Sequence, residues 1–172
     1  MSSAPSQPQV TIRRATVDDA AGIAEIYNAE VLNSTSTMDM VPRTIDEQRD
    51  WIQRRSGAFS AIVACDETTG EVVGFASLSK YKERAAYSTT VEDSVYVARD
   101  HHGRGIGQLL LSAICDNARD GGFHSIIARI EASGEGSLAL HRSVGFELLG
   151  IERQVGRKFN RWLDVAVMQL ML

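Results

Sequence analysis

Residues 102–107, His-Gly-Arg-Gly-Ile-Gly, form a glycine-rich turn whose spacing suits the binding of phosphate. A strand-like run precedes the turn and an apolar helical run follows it, so its backbone amides point outward at the positive end of a helix dipole. The dinucleotide fingerprint needs its third glycine where Gln108 stands, and no Gly-Lys-Ser/Thr sequence follows as in a P-loop. The turn by itself therefore predicts either a phosphate site of another kind or an ordinary tight turn.

Capping boxes and apolar periodicity predict the elements that position this turn. After a short strand at residues 10–13, Thr16 with Asp19 and Thr44 with Glu47 each form a capping box, which marks the start of a helix. The remaining elements, in chain order, are strands at 59–65, 72–78 and 91–97, a helix after the turn, a strand at 125–130, a helix at 137–144, and strands at 146–151 and 163–172.

This order of elements predicts an α+β fold with a mixed, mostly antiparallel central sheet flanked by helices. We expect one domain over residues 10–172, preceded by a loose leader at 1–9. The strand before the turn alternates so that Glu92 and Tyr96 share one face. The last strand is apolar on both faces, which predicts a central position in the sheet.

Composition excludes several classes of protein. Eighteen basic and 22 acidic residues give the 172-residue chain a net charge of −4, so we expect neither nucleic acid nor a membrane surface as a partner. Cys65 and Cys115 lie in apolar runs and are predicted to be buried free thiols, which, with a start that does not resemble a secretory signal, indicates a cytoplasmic protein. His101, His102 and His124 lack the spacing of a metal site, so no metal is expected.

The turn resembles the acetyl-CoA pyrophosphate loop of the GNAT acyltransferase superfamily, Arg/Gln-x-x-Gly-x-Gly/Ala, with His102 at its first position. The chain from about Val10 onward is similar to the phosphinothricin acetyltransferase subgroup. This resemblance implies a GNAT-like fold and an acetyl-CoA-dependent N-acetyltransferase. The segments that carry it are residues 26–38, 81–87, TVEDSVYV at 90–97, LALHRSVGF at 138–146 and WLDV at 162–165.

The resemblance also implies how acetyl-CoA would bind as co-substrate. The turn would hold the pyrophosphate, and the exposed edge of the preceding strand would pair with the pantetheine amides as with an added strand. The subgroup commonly has asparagine where this chain has Gly134, which leaves Ser137 or backbone amides for that contact. The residues implied to bind the cofactor are Val95, Tyr96, Val97, His102, Gly103, Arg104, Gly105, Ile106, Gly107, Gln108 and Ser137.

Two residues are implied to handle protons. Acyl transfer to an amine needs a neutral amine and a stabilised thiolate. Glu92 matches a glutamate of the subgroup and is the candidate base, the alternative being a solvated strand glutamate. His141 stands where many GNAT enzymes have a tyrosine that acts as the acid for the coenzyme A thiolate, and the subgroup has histidine there; the alternative is a packed or solvated helix histidine.

The acceptor implied by the resemblance is a small amino acid or an analogue such as phosphinothricin or methionine sulfoximine. A peptide or protein N-acetyltransferase and a non-catalytic acyl-CoA-binding module remain alternatives. The subgroup implies a homodimer, for which the apolar C-terminal strands could supply the interface. The residues that match substrate-side segments are Lys82, Arg84 and Tyr87 before the Glu92 strand, and Arg157, Lys158, Asn160 and Trp162 in the last hairpin.

Overall fold

A computed structural model describes residues 9–55 and 57–172, and both capping boxes lie where helices begin. Thr16 and Asp19 cap a 3-10 turn that leads directly into helix α1, Ala20–Asn33. The amide of Glu47 donates to Thr44 Oγ1 at 3.2 Å and the amide of Thr44 donates to Glu47 Oε2 at 2.8 Å, which opens helix α2, Ile45–Gln53. Apart from Gln9, the predicted leader lies outside the described residues.

The described residues form one sheet in the order β1-β2-β3-β4-β5-β7-β6, and only the pair β4–β5 is parallel. The predicted α+β class with a mostly antiparallel sheet is confirmed, and the last strand lies inside the sheet as expected. The remaining bounds are β1 Val10–Arg14, β2 Ala61–Asp66, β3 Val72–Lys80, β4 Thr90–Val97, α3 Ile106–Asp120, β5 Ser125–Glu131, α4 Glu135–Val144, β6 Glu147–Lys158 and β7 Arg161–Met171.

Strand β6 is longer than the sequence predicts, since it continues seven residues beyond Ile151. The extension is polar and does not alternate, so apolar periodicity gave no signal for it. It is held by pairing with β7 across an irregular register, where Gln154 adopts φ +54° and its amide donates to Asp164 Oδ1 at 2.8 Å. Together the two strands form a long terminal hairpin.

The sheet has a hydrophobic core on each face, and β4 contributes to both. Val91 and Val95 pack in the core beneath α3 and α4. Tyr96 packs in the core beneath α1 and α2, stacked on Phe75 with ring centroids 5.3 Å apart. Because neighbouring residues alternate between faces, Glu92 shares the face of Tyr96, as predicted, and Asp93 points to the opposite core.

The two cysteines are buried free thiols, which confirms the prediction made for them. Burial raises the pKa of Cys115 to about 12, helped by the negative charge of nearby Asp93, so this thiol stays protonated. None of the described helices combines the length and the apolar character that a membrane span needs.

Candidate active site

Strands β4 and β5 separate part way along their length, and this separation creates the site. They pair in parallel only between residues 90–92 and residues 125–127. Beyond Glu92, β4 stays bonded to β3 as far as Val97, so its other edge loses its strand partner. A cavity of about 680 Å³ occupies the gap between the two strands. An open strand edge facing a cavity is a place where an extended ligand with amide groups can pair.

The glycine-rich turn closes one end of this cavity. Gly103 and Gly105 have φ values of +73° and +82°, a backbone conformation that side chains with a Cβ rarely adopt, and Gly105 is the N-cap of α3. The first amides of α3 therefore lack helical acceptors and face the direction of the turn. His102 Nε2 donates to the carbonyl of Val97 at 2.8 Å, which ties the turn to the end of β4.

The structure brings together almost all residues that the sequence predicts for the cofactor. Of the eleven cofactor residues named in the sequence analysis, only Arg104 is not among the residues that line the cavity. Gly134 also lines it, at the N-cap of α4, and a Cβ at that position would lie 3.1 Å from the carbonyl oxygen of Glu131. The cavity wall is thus tight where the subgroup commonly has asparagine.

Glu92 is the last residue of β4 that pairs with β5, so its half-buried carboxyl group lies at the point where the strands separate. Burial raises the pKa of Glu92; the charge of Arg129 opposes this effect, while the charges of Asp93 and Glu152 add to it. A carboxylate with a raised pKa is a stronger proton acceptor than an ordinary one. Glu92 borders the cavity without lining it.

His141 forms a buried pair with Asp93, a residue that the sequence analysis did not single out. Its Nε2 lies 3.0 Å from Asp93 Oδ2, and its Nδ1 donates to the carbonyl of Ser137 at 2.8 Å. Burial alone would lower the pKa of His141, but the hydrogen bond and charge of Asp93 outweigh it and raise that pKa above its ordinary value. With both ring nitrogens engaged, the geometry favours the packed interpretation of His141 over that of a free acid.

Asp93 could have been noticed from its position in the strand pattern. It stands in the apolar phase of β4, between Val91 and Val95, where a carboxylate must be buried and therefore needs a partner. Its side chain is fully buried, and its Oδ1 atom has no hydrogen-bond partner among the described residues. Asp93 and His141 both line the cavity.

Of the three substrate-side residues predicted before β4, two, Lys82 and Tyr87, lie together. The Lys82 ammonium is 4.8 Å from the ring centroid of Tyr81 and 5.0 Å from that of Tyr87. The two rings meet edge to face at 5.7 Å, so they form a partly exposed aromatic pair with a cation against it. Arg84 is exposed, and its carbonyl accepts from the amide of Tyr87 at 3.0 Å.

Lys158 was expected among the substrate-side residues, and this expectation is wrong. Its side chain is buried, with Nζ donating to the carbonyl of Thr37 at 2.9 Å and lying 3.5 Å from that of Glu30. It thereby ties the segment between α1 and α2 to β6. The neighbouring Arg157 donates to Asn160 Oδ1 at 2.7 Å and lies over the ring of Trp162, contacts that hold the hairpin turn.

Two of the three histidines considered for a metal have other side-chain contacts. His101 Nδ1 lies 3.0 Å from Asp100 Oδ1, while His102 is bonded to Val97. In the part of the chain that the structure describes, no three His, Cys, Asp or Glu side chains are grouped to hold an ion.

Comparison with known proteins agrees with this geometry. Residues 12–167 match the family model described as an acetyltransferase (GNAT) domain. The chain is 40% identical over 162 residues to the L-methionine sulfoximine/L-methionine sulfone acetyltransferase of Pseudomonas aeruginosa, covering 94% of both chains. It is 41% identical over 163 residues to an L-amino acid N-acyltransferase of Escherichia coli, covering 95% of this chain and 94% of the relative. It also resembles, at 39% identity, the crystal structure of a GNAT superfamily phosphinothricin acetyltransferase from Sinorhizobium meliloti in complex with AcCoA, with a TM-score of 0.90 over 95% of this chain and 89% of that one.

Proposed function

The chain belongs to the GNAT acetyltransferase family, and from that premise we propose that it moves the acetyl group of acetyl-CoA to the primary amine of a free amino acid or a close analogue. The relatives named above act on methionine sulfoximine, methionine sulfone, L-amino acids and phosphinothricin, which supports this acceptor class. The observation that carries the proposal is the open edge of β4, with the glycine turn at one end and Glu92 at the other.

The residues present fit acetyl-CoA. The amides of Gly103, Gly105 and Gly107 lie at the start of α3, and these residues carry no side chain of their own that would keep a pyrophosphate from the backbone. The edge of β4 that faces away from β3 at Val95 and Val97 supplies backbone groups for the amides of pantetheine, apart from the carbonyl of Val97, which accepts from His102. When bound, the cofactor supplies the acetyl thioester, and the chain's part is to hold that group beside Glu92.

Glu92 is the proposed base. An amino acid carries an ammonium group at neutral pH, and it must lose a proton before its nitrogen can attack a carbonyl carbon. Glu92 is suited to accept that proton, since burial raises its pKa. As the new C–N bond forms, the C–S bond breaks, and the second proton that the nitrogen loses neutralises the departing coenzyme A thiolate.

His141 and Asp93 are proposed to hold α4 against β4 and so to fix the width of the gap. Their contact joins β4 to α4 over 48 positions of the chain, and both residues line the cavity. The acid role predicted for His141 would require one of its two engaged ring nitrogens to leave its present partner.

The proposal includes a homodimer and a cytoplasmic location. Strand β6 is an edge of the sheet and carries exposed apolar side chains at Leu148, Leu149 and Ile151, which a second copy could cover by a twofold contact. Two buried free thiols are compatible with a reducing compartment. Sedimentation at micromolar concentration tests the first statement, and fractionation of the source cells tests the second.

The deciding experiment is a screen of free amino acids, methionine sulfoximine and phosphinothricin with acetyl-CoA, read by thiol release. We expect turnover with at least one of these compounds and none with peptides that present the same amine. Activity confined to peptides would favour a peptide N-acetyltransferase. Tight acetyl-CoA binding without turnover of any amine would favour a binding module.

A further inference from the structure

An ion pair between Arg129 and Glu152 lies beside Glu92, and nothing in the cofactor site requires it. The guanidinium donates from Nη1 to Glu152 Oε1 at 3.1 Å and from Nη2 to Glu152 Oε2, a bidentate contact. The pair is partly exposed, with 37% of the arginine side chain and 39% of the glutamate side chain accessible. Arg129 also lines the cavity between β4 and β5.

The register places Arg129 on the same side of the sheet as Glu92. Glu92 is paired with Ile127 in the parallel ladder, and Arg129 follows Ile127 by two residues, so the two side chains project from one face. The charge of Arg129 is felt at Glu92, where it lowers the pKa against the effect of burial. The guanidinium and the proposed base therefore border one space at the point where the strands separate.

We propose that Arg129 binds the carboxylate of the amino acid acceptor, with Glu152 as the partner that it releases; this rests on the acceptor class proposed above. A guanidinium already held in bidentate geometry needs little reorganisation to accept another carboxylate. A partly exposed ion pair contributes little to stability, so exchanging its carboxylate costs little. An α-amino acid bound this way directs its ammonium group toward Glu92.

The cations predicted from sequence are less suited to this task. Lys82 is a point charge that already rests against the rings of Tyr81 and Tyr87, and Arg84 is exposed. The charges of Lys82 and Arg129 influence one another, so the aromatic pair lies near the guanidinium. We assign Tyr81 and Tyr87 to the wall that contacts the side chain of the acceptor. Arg129 is assigned to binding the carboxylate of the acceptor.

The test compares an amino acid with its α-carboxamide, which keeps the amine and the side chain but removes the negative charge. In Arg129→Met, kcat/KM for the amino acid should fall about 10- to 100-fold, mainly through KM, because a charged hydrogen-bonded contact is lost. The value of kcat/KM for the carboxamide should change by less than about threefold. Glu152→Gln should lower KM for the amino acid several-fold, a gain that misfolding cannot produce.

Arg119→Met is the control, because Arg119 makes an exposed ion pair with Asp116 on α3, with Nη1 and Oδ1 2.8 Å apart, and does not line the cavity. This variant should leave kcat/KM unchanged for both the amino acid and the carboxamide. Equal losses for the acid and the carboxamide in Arg129→Met, or no loss for either, would overturn the assignment while leaving the acceptor class intact. If the wild-type protein acetylates peptides and no free amino acid, the proposed function fails first and the role of Arg129 fails with it.

Discussion

Replacing Asp93 by asparagine should reverse the way in which His141 couples stability to pH. In the wild-type fold the pKa of His141 is raised, chiefly because Asp93 outweighs burial. The folded protein therefore keeps a proton that the unfolded chain loses above about pH 6.5, so this stabilisation is complete below that pH and is lost as pH rises through the folded pKa. In Asp93→Asn only the bond to the carbonyl of Ser137 still counteracts the lowering of the His141 pKa by burial. The pKa of His141 in the folded variant should therefore fall below 6.5.

The size of the effect follows from the contacts. At pH 8 the imidazole of the variant is neutral, its Nδ1 still donates to Ser137, and the amide of Asn at position 93 can donate to Nε2, so the substitution should cost about 1 kcal/mol. At pH 5.5 the variant must either bury an imidazolium without a counter-ion or hold it neutral, which should cost about 3–5 kcal/mol. The difference in unfolding free energy between wild type and variant should therefore shrink by about 2–4 kcal/mol as the pH rises from 5.5 to 8.

Urea unfolding followed by tryptophan fluorescence, to which Trp51 contributes through its packing against Phe75, would measure these free energies at half-unit steps from pH 5.5 to 8.5. Asp116→Asn is the control, since its pair with Arg119 is exposed on α3 and no imidazole is involved. A pH-independent difference between wild type and Asp93→Asn would show that Asp93 does not hold His141 charged, and the reasoning would fail.

Four further outcomes are expected from three variants. Glu92→Gln should reduce turnover ~10²-fold with little change in acetyl-CoA affinity and with partial recovery at alkaline pH, where the amine is already neutral; unchanged turnover with chemistry rate-limiting would reject the base. The same variant should be more stable than wild type at neutral pH, because a raised carboxyl pKa makes wild-type stability fall as pH rises from the unfolded to the folded value. Gly105→Val should weaken acetyl-CoA binding measured by calorimetry. Gly70→Val, at a similar φ of +74° in the β2–β3 hairpin, should introduce the same backbone strain without changing acetyl-CoA affinity. Leu149→Lys on β6 should shift sedimentation from dimer to monomer, and a wild-type monomer would contradict that expectation.

Local signals predicted the elements well because their causes are local. The box of Thr44 and Glu47 uses backbone amides within one helical turn, and the glycines at 103 and 105 adopt the positive φ that only a residue without a Cβ accepts readily. The alternation that put Glu92 and Tyr96 on one face needed only the pleat of a single strand.

The contacts that sequence reasoning missed join distant segments. The Asp93–His141 pair links β4 to α4, and the Arg129–Glu152 pair links β5 to β6 across the intervening strand β7. Lys158 lies in a polar run, which predicts a surface position. In the fold, the segment after α1 covers this lysine and supplies carbonyl acceptors for it. No period in the sequence encodes which strand will lie beside which, so these partners required the three-dimensional arrangement.

The adjacent carboxylates on β4 explain why the end of the β4–β5 pairing matters. Because Glu92 and Asp93 project to opposite faces, one can meet an acceptor while the other is neutralised by His141. The charge of Asp93 still raises the pKa of Glu92, whereas the charge of Arg129 lowers it. The pKa of Glu92 therefore depends on charges on both faces of the sheet. If the β4–β5 ladder continued beyond Glu92, the strand edge would be occupied and no amide ligand could pair there. The separation of β4 from β5 thus gives one strand both the edge proposed to bind the cofactor and, at the start of that edge, the proposed base.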